Sequence, residues 1–425
     1  MDLEWNAEAE GGPWDVSSSN NSDEGEEEEG GVGEAAWQVL TARRRADVRA
    51  RGGGGAELLA RETGLARRAR GLAAWHANAP LGLRETPLGA AGFNKIFAQA
   101  WLDEERFLTG SKDNRLALWT VAGRAAGQCS VAELPLPPAQ RPAPEAQGGI
   151  HSLALDGPRR LLATGSGSPN EVAVLEAARG FRARAVCAGH TDWVFGCEWV
   201  AEGVLWTASR DRTLKVWRVP DEAAEEGGRP AVLAAGATLK HHSDRVRALR
   251  HDAVQGVAAS LGSDRRLALW DPPTGQLLRS CATRDHEDLI ALDADPRFGL
   301  FAVGGRDFVS FFDRRVEGIL RSVQTCNRGM GVRSLCFRDA LLSVGGGLGR
   351  LSFFDLAAGK FRRFGEGEAA RSYRQVTGPP QPRADGEPQE PQAVYVHRWD
   401  DAGARLFVGG GPLLLQASGG HASLW

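Results

Sequence analysis

The sequence has few of the features that mark membrane, secreted or metal-binding proteins. Its 425 residues contain no run of 18 apolar residues, which predicts no transmembrane helix. The first ten residues have neither the basic nor the apolar region of a secretory signal. The six cysteines form no CxxC pair, and several lie in apolar, strand-like segments. This pattern favours reduced, buried thiols in a cytosolic or nuclear protein over disulfides or a zinc site.

Enzyme motifs are also missing. The sequence has no GxSxG, HExxH or GxxxxGK[ST] element, and no GxGxxG after a strand. Its glycine runs at 52–55 and 345–349 lack the following helix and lysine of a phosphate loop. The adjacent His241 and His242 have no third ligand at metal-site spacing. We therefore predict a binding protein with no catalytic residues, cofactor or metal.

Charge is distributed unevenly along the chain. Residues 1–35 hold twelve acidic residues and no basic ones, so a chain of net charge −3 carries +9 in the remainder. This Gly-rich head lacks periodicity and predicts a disordered tail, which is either simply solvated or acts as an electrostatic lid over a basic site.

Residues 36–80 are rich in Ala, Leu and Arg, and the glycines at 52–55 divide them into two predicted basic helices. A partner-binding helix pair is favoured over a nuclear localisation signal or nucleic-acid helix at Arg43–Arg45.

From residue 81 short apolar runs alternate with turn signals, and repeats of roughly 45 residues appear, as in propeller blades. The clearest repeat, 189–217, begins with Gly-His and ends with Trp. It predicts a buried polar chain of His190, Thr207 or Ser209, Asp211 and Trp217. A catalytic pairing of His190 with Asp211 is the weaker interpretation, since such a network must be fully hydrogen-bonded to be tolerated in a core.

Six weaker repeats accompany the clear one. They cover residues 94–119, 150–176, 245–271, 289–313, 332–355 and 393–425. We predict an all-β, seven-bladed WD40 propeller over 81–425. The last repeat has only three strands, so a segment near Leu81–Leu88 should supply the fourth and close the ring. Three stretches are interpreted as connections between blades: Leu134–Gly149, Pro220–Pro230 and Gly365–Pro391.

One end of this predicted propeller is rich in cations. The turns after second strands hold Lys112, Arg210, Asp264 and Arg306. The segments that lead into inner strands hold Lys95, His151, Arg245, Arg247, Arg333 and His397. A ring of cations around a funnel attracts anions, so we expect an acidic peptide ligand. The alternative is pairing of these cations with turn aspartates such as Asp113, Asp211 and Asp244, which accounts for only one or two of them.

Several segments, among them FNKIFAQAWL, HTDWVFGCEWV, RVRALR, GVRSLCF and AVYVHRWDDAGARLFVGGGPL, are specific enough to indicate a family. From about residue 61 onward the chain resembles the substrate-receptor factors associated with cullin-four and damaged-DNA-binding protein one, in particular their factor-twelve group. The resemblance implies a substrate-recognition subunit of a cullin-RING ubiquitin ligase. It also implies recognition of substrates that end in two glutamates, by Lys95, Lys112, Arg210, Arg245, Arg247 and Arg333.

The resemblance further implies that the adaptor, damaged-DNA-binding protein one, contacts helices in 36–80 and a Trp/Phe-Asp-x-Arg box. Phe312-Asp313-Arg314-Arg315 fits that box, with Asp313 and Arg315 as adaptor-binding residues, whereas Ala357 replaces the arginine in the next blade.

The expected compartments are cytoplasm and nucleus, with the centrosome as a further site. The alternative function is a WD-repeat scaffold or a histone or phosphopeptide reader without a ligase. A nucleic-acid partner is less favoured.

Overall fold

The structure is a computed structural model that describes most of the chain from residue 83 onward. The described residues are 83–89, 92–121, 129–140, 148–221, 229–284, 290–295, 297, 299–365, 370–376, 392–413 and 418–425. The predicted acidic tail (1–35) and helical segment (36–80) lie outside these residues, so both remain predictions. In the part that is described, no helix is long and apolar enough to cross a membrane.

Short stretches rich in β-branched and aromatic residues, separated by tight turns, form antiparallel meanders. Within the described residues, thirty strands form seven sheets, which are the seven blades, and this confirms the predicted all-β propeller. The first strand in the chain is β1 (Thr86–Leu88). Blade 1 consists of β2 (Ile96–Trp101), β3 (Arg106–Ser111), β4 (Leu116–Val121) and β5 (Cys129–Leu134). Blade 2 contains β6 (Ala154–Leu155), β7 (Leu161–Gly165), β8 (Glu171–Glu176) and β9 (Arg182–Ala188).

The remaining blades follow in chain order. Blade 3 contains β10 (Val194–Ala201), β11 (Val204–Ser209), β12 (Thr213–Arg218) and β14 (Ala237–Lys240), with β13 (Ala231–Leu233) between them in sequence. Blade 4 contains β15 (Val246–Asp252), β16 (Val257–Gly262), β17 (Arg266–Asp271) and β18 (Gln276–Ala282). Blade 5 contains β19 (Ala291–Asp295), β20 (Leu300–Gly304), β21 (Phe308–Asp313) and β22 (Arg321–Gln324). Blade 6 contains β23 (Val332–Arg338), β24 (Leu341–Gly346), β25 (Arg350–Asp355), β26 (Lys360–Phe361) and β27 (Tyr373–Gln375). Blade 7 contains β28 (Gln392–Trp399), β29 (Leu406–Pro412) and β30 (His421–Leu424).

The ring closes through strand β1, as the sequence predicted. Strand β1 pairs antiparallel with β30 as the outer strand of blade 7, with Thr86 opposite Leu424 and Leu88 opposite Ala422. This pairing covers the edge that the last repeat leaves open. Because an exposed edge strand is prone to pair with other chains, closure is the expected solution.

Strands β13 and β27 each add a fifth strand to a sheet. Strand β13 runs parallel to β9, so the connection that follows β12 covers the outer edge of blade 2 before it returns to blade 3. Strand β27 lies inside the predicted connection 365–391 and pairs with β25. That stretch was interpreted as connection throughout, which is wrong for these three residues. A three-residue strand is too short to show an alternating pattern of its own.

The hydrophobic core lies between blades. Seven clusters of buried apolar side chains occur in the described residues, and each lies between two neighbouring blades. Between blades 3 and 4, for example, the rings of Trp206 and Trp270 meet edge to face with centroids 6.5 Å apart. The blades are therefore held by side-to-side packing, which leaves the strand ends around the central channel available for other roles.

Candidate functional site

The inner strands of five blades contain a β-bulge close to their start. A bulge leaves one residue outside the pairing and re-aims its side chain. The residues skipped by the register are Phe97, Phe195, Arg247, Arg333 and Tyr395. The other two blades have an equivalent position. In blade 2 it is His151, which follows the buried Ile150 as Phe97 follows Ile96 in blade 1. In blade 5 it is Ile290, which directly precedes the first paired residue, Ala291. These seven side chains, one from each blade, are called the channel mouth.

Side-chain contacts across blade boundaries show that the bulges aim at a common axis. Phe97 stacks on His151 with ring centroids 4.8 Å apart, and Tyr395 meets Phe97 edge to face at 5.2 Å. His151 meets Phe195 edge to face at 4.9 Å, and the guanidinium carbon of Arg247 lies 4.9 Å from the Phe195 ring centroid. The four rings from blades 7, 1, 2 and 3 are called the ring arc, and Arg247 adjoins one end of it.

The ring arc is uncharged at neutral pH. Burial lowers the pKa of His151 to about 4, against a hydrogen bond that its Nε2 donates to the Gly148 carbonyl at 2.7 Å, and the charge of Arg247 lowers it further. Burial also raises the pKa of Tyr395 to about 12, and its hydroxyl donates to the Pro412 carbonyl at 3.2 Å. Both groups therefore stay neutral over the physiological range.

Two of the six predicted cations belong to the channel mouth itself. Arg247 donates from Nε to the Ser263 hydroxyl at 3.0 Å, while its guanidinium rests against Phe195. Arg333 donates from Nε to the Met330 carbonyl at 3.2 Å. These two contacts orient both guanidinium groups at the mouth through a neutral hydroxyl and a neutral carbonyl.

Two more predicted cations lie beside these. The guanidinium of Arg210 is 5.3 Å from the Trp193 ring centroid, and its Nε is 3.5 Å from Oδ2 of Asp192. Only 12% of the Arg210 side chain is exposed, so the ring and the carboxylate hold it closely. The carbonyl of the half-buried Arg245 accepts a hydrogen bond from the Ser263 amide at 2.8 Å, in the same turn that holds Arg247.

The two predicted lysines occupy different depths in blade 1. The amide of Lys112 donates to the Lys95 carbonyl at 2.9 Å, and the Lys112 side chain is half-buried. Lys95 is only 2% exposed, although it was predicted on an open rim. A side chain added at Gly411 would come within 2.9 Å of Lys95 Cγ, which locates this lysine between blades 1 and 7.

The sequence interpretation named His151 but missed the other three rings of the mouth, and it misplaced one histidine. His397 was expected near the funnel, but it is 1% exposed and bonds to the hydroxyls of Ser334 at 2.7 Å and Ser343 at 2.9 Å. The bulge places Tyr395 at the mouth instead, because an extra residue changes which side chains face the axis. Repetition of an aromatic residue one place after the start of an inner strand was the signal available in the sequence.

A second charged group crosses the channel below the mouth. Its members are three residues beyond the mouth residue of their own blades, and it is called the ion-pair layer: Glu198, Arg250, Asp293 and Arg398. Arg250 contacts Glu198 at 2.9 Å and Asp293 at 3.2 Å, and Arg398 contacts Asp293 at 3.2 Å. Asp293 also accepts from the Phe337 amide at 2.8 Å. The layer links blades 3, 4, 5, 6 and 7 and contains equal numbers of cations and carboxylates.

Burial and charge act in opposite directions on the pKa values of this layer. Burial raises the pKa of Glu198, against the nearby charges of Arg250 and Arg398. Burial opposes the charge of Arg398, but the Asp293 carboxylate outweighs it and raises the pKa of that arginine. Each carboxylate of the layer thus lies against a guanidinium group, as a buried ionic group must.

Blade 3 contains the polar chain that the Gly-His and Trp signature suggested. His190 Nδ1 donates to Asp211 at 2.7 Å, its Nε2 lies 2.7 Å from the Thr207 hydroxyl, and Trp217 donates to that hydroxyl at 2.8 Å. Thr207 is therefore the hydroxyl of the chain, and Ser209 donates to a backbone carbonyl instead. Burial opposes the charged form of Asp211, but the bond from His190 holds the pKa of this carboxyl well below its usual range.

Blade 4 repeats this arrangement with residues considered earlier for other roles. His242 Nδ1 lies 3.0 Å from Asp264, its Nε2 lies 2.8 Å from Ser260 Oγ, and Trp270 donates to the same hydroxyl at 2.9 Å. Asp264, which was considered as a funnel residue, thus holds the blade together. No group of three metal-ligating side chains occurs among the described residues.

The predicted adaptor residues lie at the end of the third strand of blade 5. Arg315 makes a two-pronged contact with Asp313, with Nε 2.8 Å and Nη2 2.5 Å from its two carboxylate oxygens, and remains 48% exposed. In blade 6, where Ala357 replaces the expected arginine, Arg362 donates to Asp355 at 2.9 Å. An arginine thus neutralises this aspartate from a different position in the chain.

The architecture and the signature of blade 3 define a WD-repeat β-propeller, and comparisons agree with this class. The chain is similar to a solved structure of U3-55K, at 15% identity, with a TM-score of 0.59 and coverage of 80% of this chain and 98% of that one. It is also similar to the WD40 repeats of RRP9, at 15% identity, with a TM-score of 0.58 and coverage of 80% and 96%. Both likenesses establish the fold alone.

A family comparison is more specific. The family described as the DDB1- and CUL4-associated factor 12 beta propeller matches residues 79–384, so this chain belongs to that family. A curated relative, a ribosome biogenesis protein WDR12 homolog from Ixodes scapularis, is 31% identical over 106 residues. That match covers 24% of this chain and 22% of the relative, so the chain spans about a fifth of that protein's length.

Proposed function

We propose that this protein is the substrate-recognition subunit of a cullin-four RING ubiquitin ligase and that it binds acidic C-termini at the channel mouth. The observation that carries the proposal is the convergence of Arg247, Arg333 and Arg210 around one opening. Membership of the factor 12 family supports the ligase role, because the family takes its description from DDB1 and CUL4. The protein itself does no bond chemistry under this proposal.

A chain that ends in two glutamates suits this opening chemically. It presents three carboxylates within a few ångströms, and each charge-assisted hydrogen bond to an arginine or lysine contributes roughly 1.5–3 kcal/mol. Three or four such contacts, less the cost of ordering the peptide, correspond to roughly micromolar affinity. Arginine also offers a planar fork that can donate two hydrogen bonds to one carboxylate. Arg245 therefore suits this ligand better than a lysine would at the same position.

The surroundings of the arginines favour binding further. Phe195 and Ser263 hold Arg247, and Trp193 and Asp192 hold Arg210, so little side-chain freedom remains to be lost when a ligand binds. Lys112 and the buried Lys95 add positive charge from blade 1. The ion-pair layer crosses the channel below the mouth. Under this proposal the peptide therefore inserts only its C-terminal residues.

Peptide binding tests the recognition half of the proposal. A fluorescent ten-residue peptide ending in Glu-Glu should bind the purified chain, and amidation of its terminal carboxylate should abolish most of the binding. Arg247→Glu or Arg333→Glu should abolish binding without unfolding the chain, because both residues are only half-buried. Equal binding of the free and amidated peptides would refute recognition of a C-terminus.

Adaptor binding tests the ligase half. We propose that the exposed Arg315, oriented by Asp313, contacts the DDB1 adaptor together with helices in 36–80. Arg315→Ala should weaken co-purification of DDB1 with the full chain, whereas Arg306→Ala, an exposed arginine in another turn of the same blade, should not. If DDB1 fails to co-purify with the wild-type chain, the alternative of a scaffold or histone or phosphopeptide reader without a ligase is favoured.

A further inference from the structure

The channel mouth has two chemically different halves. The ring arc extends through blades 7, 1, 2 and 3, and the remaining three positions are Arg247, Ile290 and Arg333 in blades 4, 5 and 6. Arg247 packs on Phe195 at one end of the arc. Arg333 is close enough to the other end for its charge to lower the pKa of Tyr395. A ligand whose carboxylates reach the arginines therefore has the rings beside it.

The rings of the arc are uncharged, and three of the four are partly exposed. Phe97, His151 and Tyr395 are half-buried, and they pack on one another in a continuous series with centroid separations between 4.8 and 5.2 Å. Phe195 is buried beneath Arg247 and continues the series. Such a wall offers ring faces and edges for dispersion contacts, but few charge-assisted hydrogen bonds for a carboxylate.

From this asymmetry we infer that the ring arc is a second subsite, which takes an apolar side chain within the three residues that precede the acidic end of the ligand. The inference rests on the proposed function and defines its substrate class more narrowly. A cationic side chain at these positions is disfavoured, because Arg247 and Arg333 flank the arc at both ends. An acidic side chain there gains little from the neutral rings.

A set of matched peptides tests the subsite. Each is fluorescently labelled, ends in Glu-Glu, and has glycine at the three preceding positions except for a single Leu, Lys or Asp at one of them. At the best position, Leu should tighten binding roughly five- to tenfold over the all-glycine peptide, as expected for partial burial of a leucine side chain. Lys at that position should weaken binding below the all-glycine value.

Variants of the arc connect the preference to the rings. Phe97→Ala should remove the advantage of Leu, measured as the ratio of the affinities of the Leu and all-glycine peptides for that same variant. Tyr373→Ala removes a half-buried ring of blade 6 that is not part of the arc, so it should leave the advantage intact. Tyr395→Phe keeps the ring and should therefore keep the affinity ratio between the Leu and all-glycine peptides. If Phe97→Ala does not fold, Tyr395→Ala makes the same test from the adjacent blade.

The outcomes separate this inference from the function on which it rests. A wild-type chain that binds the Glu-Glu peptides but does not distinguish Leu from Gly at any position overturns the subsite alone. A Leu advantage that survives in Phe97→Ala and Tyr395→Ala also overturns it. A chain that binds none of the peptides overturns the proposed function and the subsite together.

Discussion

The channel contains two groups of charged side chains, one above the other, and they differ in balance. In the ion-pair layer, Arg250 and Arg398 are matched by Glu198 and Asp293 at 2.9–3.2 Å. At the channel mouth, both charged residues are arginines, and their contacts include a ring, a hydroxyl and a carbonyl.

The balance of positive and negative side chains within a group therefore distinguishes charges that stabilise the fold from charges that bind a ligand. A layer with equal numbers of both signs gains its electrostatic energy on folding and links the blades. A mouth with an excess of one sign keeps attraction available for a ligand of the other sign. The two groups should therefore respond in opposite ways when single charges are removed.

The largest expected effect is on stability, from Asp293→Ala in the ion-pair layer. Its carboxylate is 7% exposed and accepts bonds from Arg250, Arg398 and the Phe337 amide, so its removal leaves two cations close together. We expect a loss of about 3 kcal/mol in the free energy of unfolding, measured by chemical denaturation. Asp192→Ala, which removes a 37% exposed carboxylate 3.5 Å from Arg210, should cost less than about 1 kcal/mol. Equal losses would show that the two groups do not differ as described.

The next effect is on binding, from Arg333→Met at the mouth. Loss of one charge-assisted contact should weaken binding of the Glu-Glu peptide by about ten- to a hundredfold, measured by fluorescence anisotropy. Stability should change little, because Arg333 is only half-buried and its Nε hydrogen bond is to a neutral carbonyl. Arg333→Lys keeps the charge without the planar fork, so its affinity for the peptide should lie between those of wild type and Arg333→Met. A Met variant that binds like wild type would remove Arg333 from the proposed site.

A smaller effect is expected for Phe195→Leu, which keeps an apolar side chain but removes the ring beneath Arg247. Peptide binding should weaken about three- to fivefold, since a cation–π contact contributes roughly 0.5–1 kcal/mol. If Phe195 acts by positioning Arg247, the same substitution should have no further effect on binding in an Arg247→Met background. Additive losses in the double variant would show that Phe195 acts independently of that arginine.

The smallest effect concerns the uncharged half of the mouth at acidic pH. Unfolded His151 takes up a proton below about 6.5, whereas the folded chain holds its pKa at about 4. The unfolded state therefore binds more protons between these values, and the free energy of unfolding should fall as pH decreases through this range. His151→Phe keeps a ring but has no titrating group. It should therefore lose less free energy of unfolding than wild type between pH 7.5 and pH 5, as measured by urea denaturation. His397 and His421, whose pKa values burial also lowers, should maintain the remaining slope. An unchanged slope in His151→Phe would contradict the burial of this ring.

Much of the fold was predictable, because each repeat carries its own local pattern. Alternating apolar residues, turn signals and a period of roughly 45 residues are properties of short segments, and closure by a strand near residues 81–88 follows from the unpaired last repeat. Strand β27 was missed, because a three-residue outer strand depends on its partner β25 for pairing and carries no pattern of its own.

The candidate site was predictable only in part. Arg247 and Arg333 are visible in the sequence as cations near the start of inner strands, and the structure brings both to the mouth. The burial of Lys95 and the displacement of His397 were not visible, because exposure depends on the neighbouring blade. The bulges that re-aim Phe97, Phe195 and Tyr395 depend on pairing between two strands, which a single strand's sequence does not specify.

The sequence by itself determined the number of blades and the polar chain of blade 3. These follow from residue type and spacing within one repeat. Only the tertiary structure decided which charges meet across blades and which side chains turn towards the axis. The ion-pair layer and the ring arc each join residues more than forty positions apart, and only the packing of one blade against another brings such residues within contact distance.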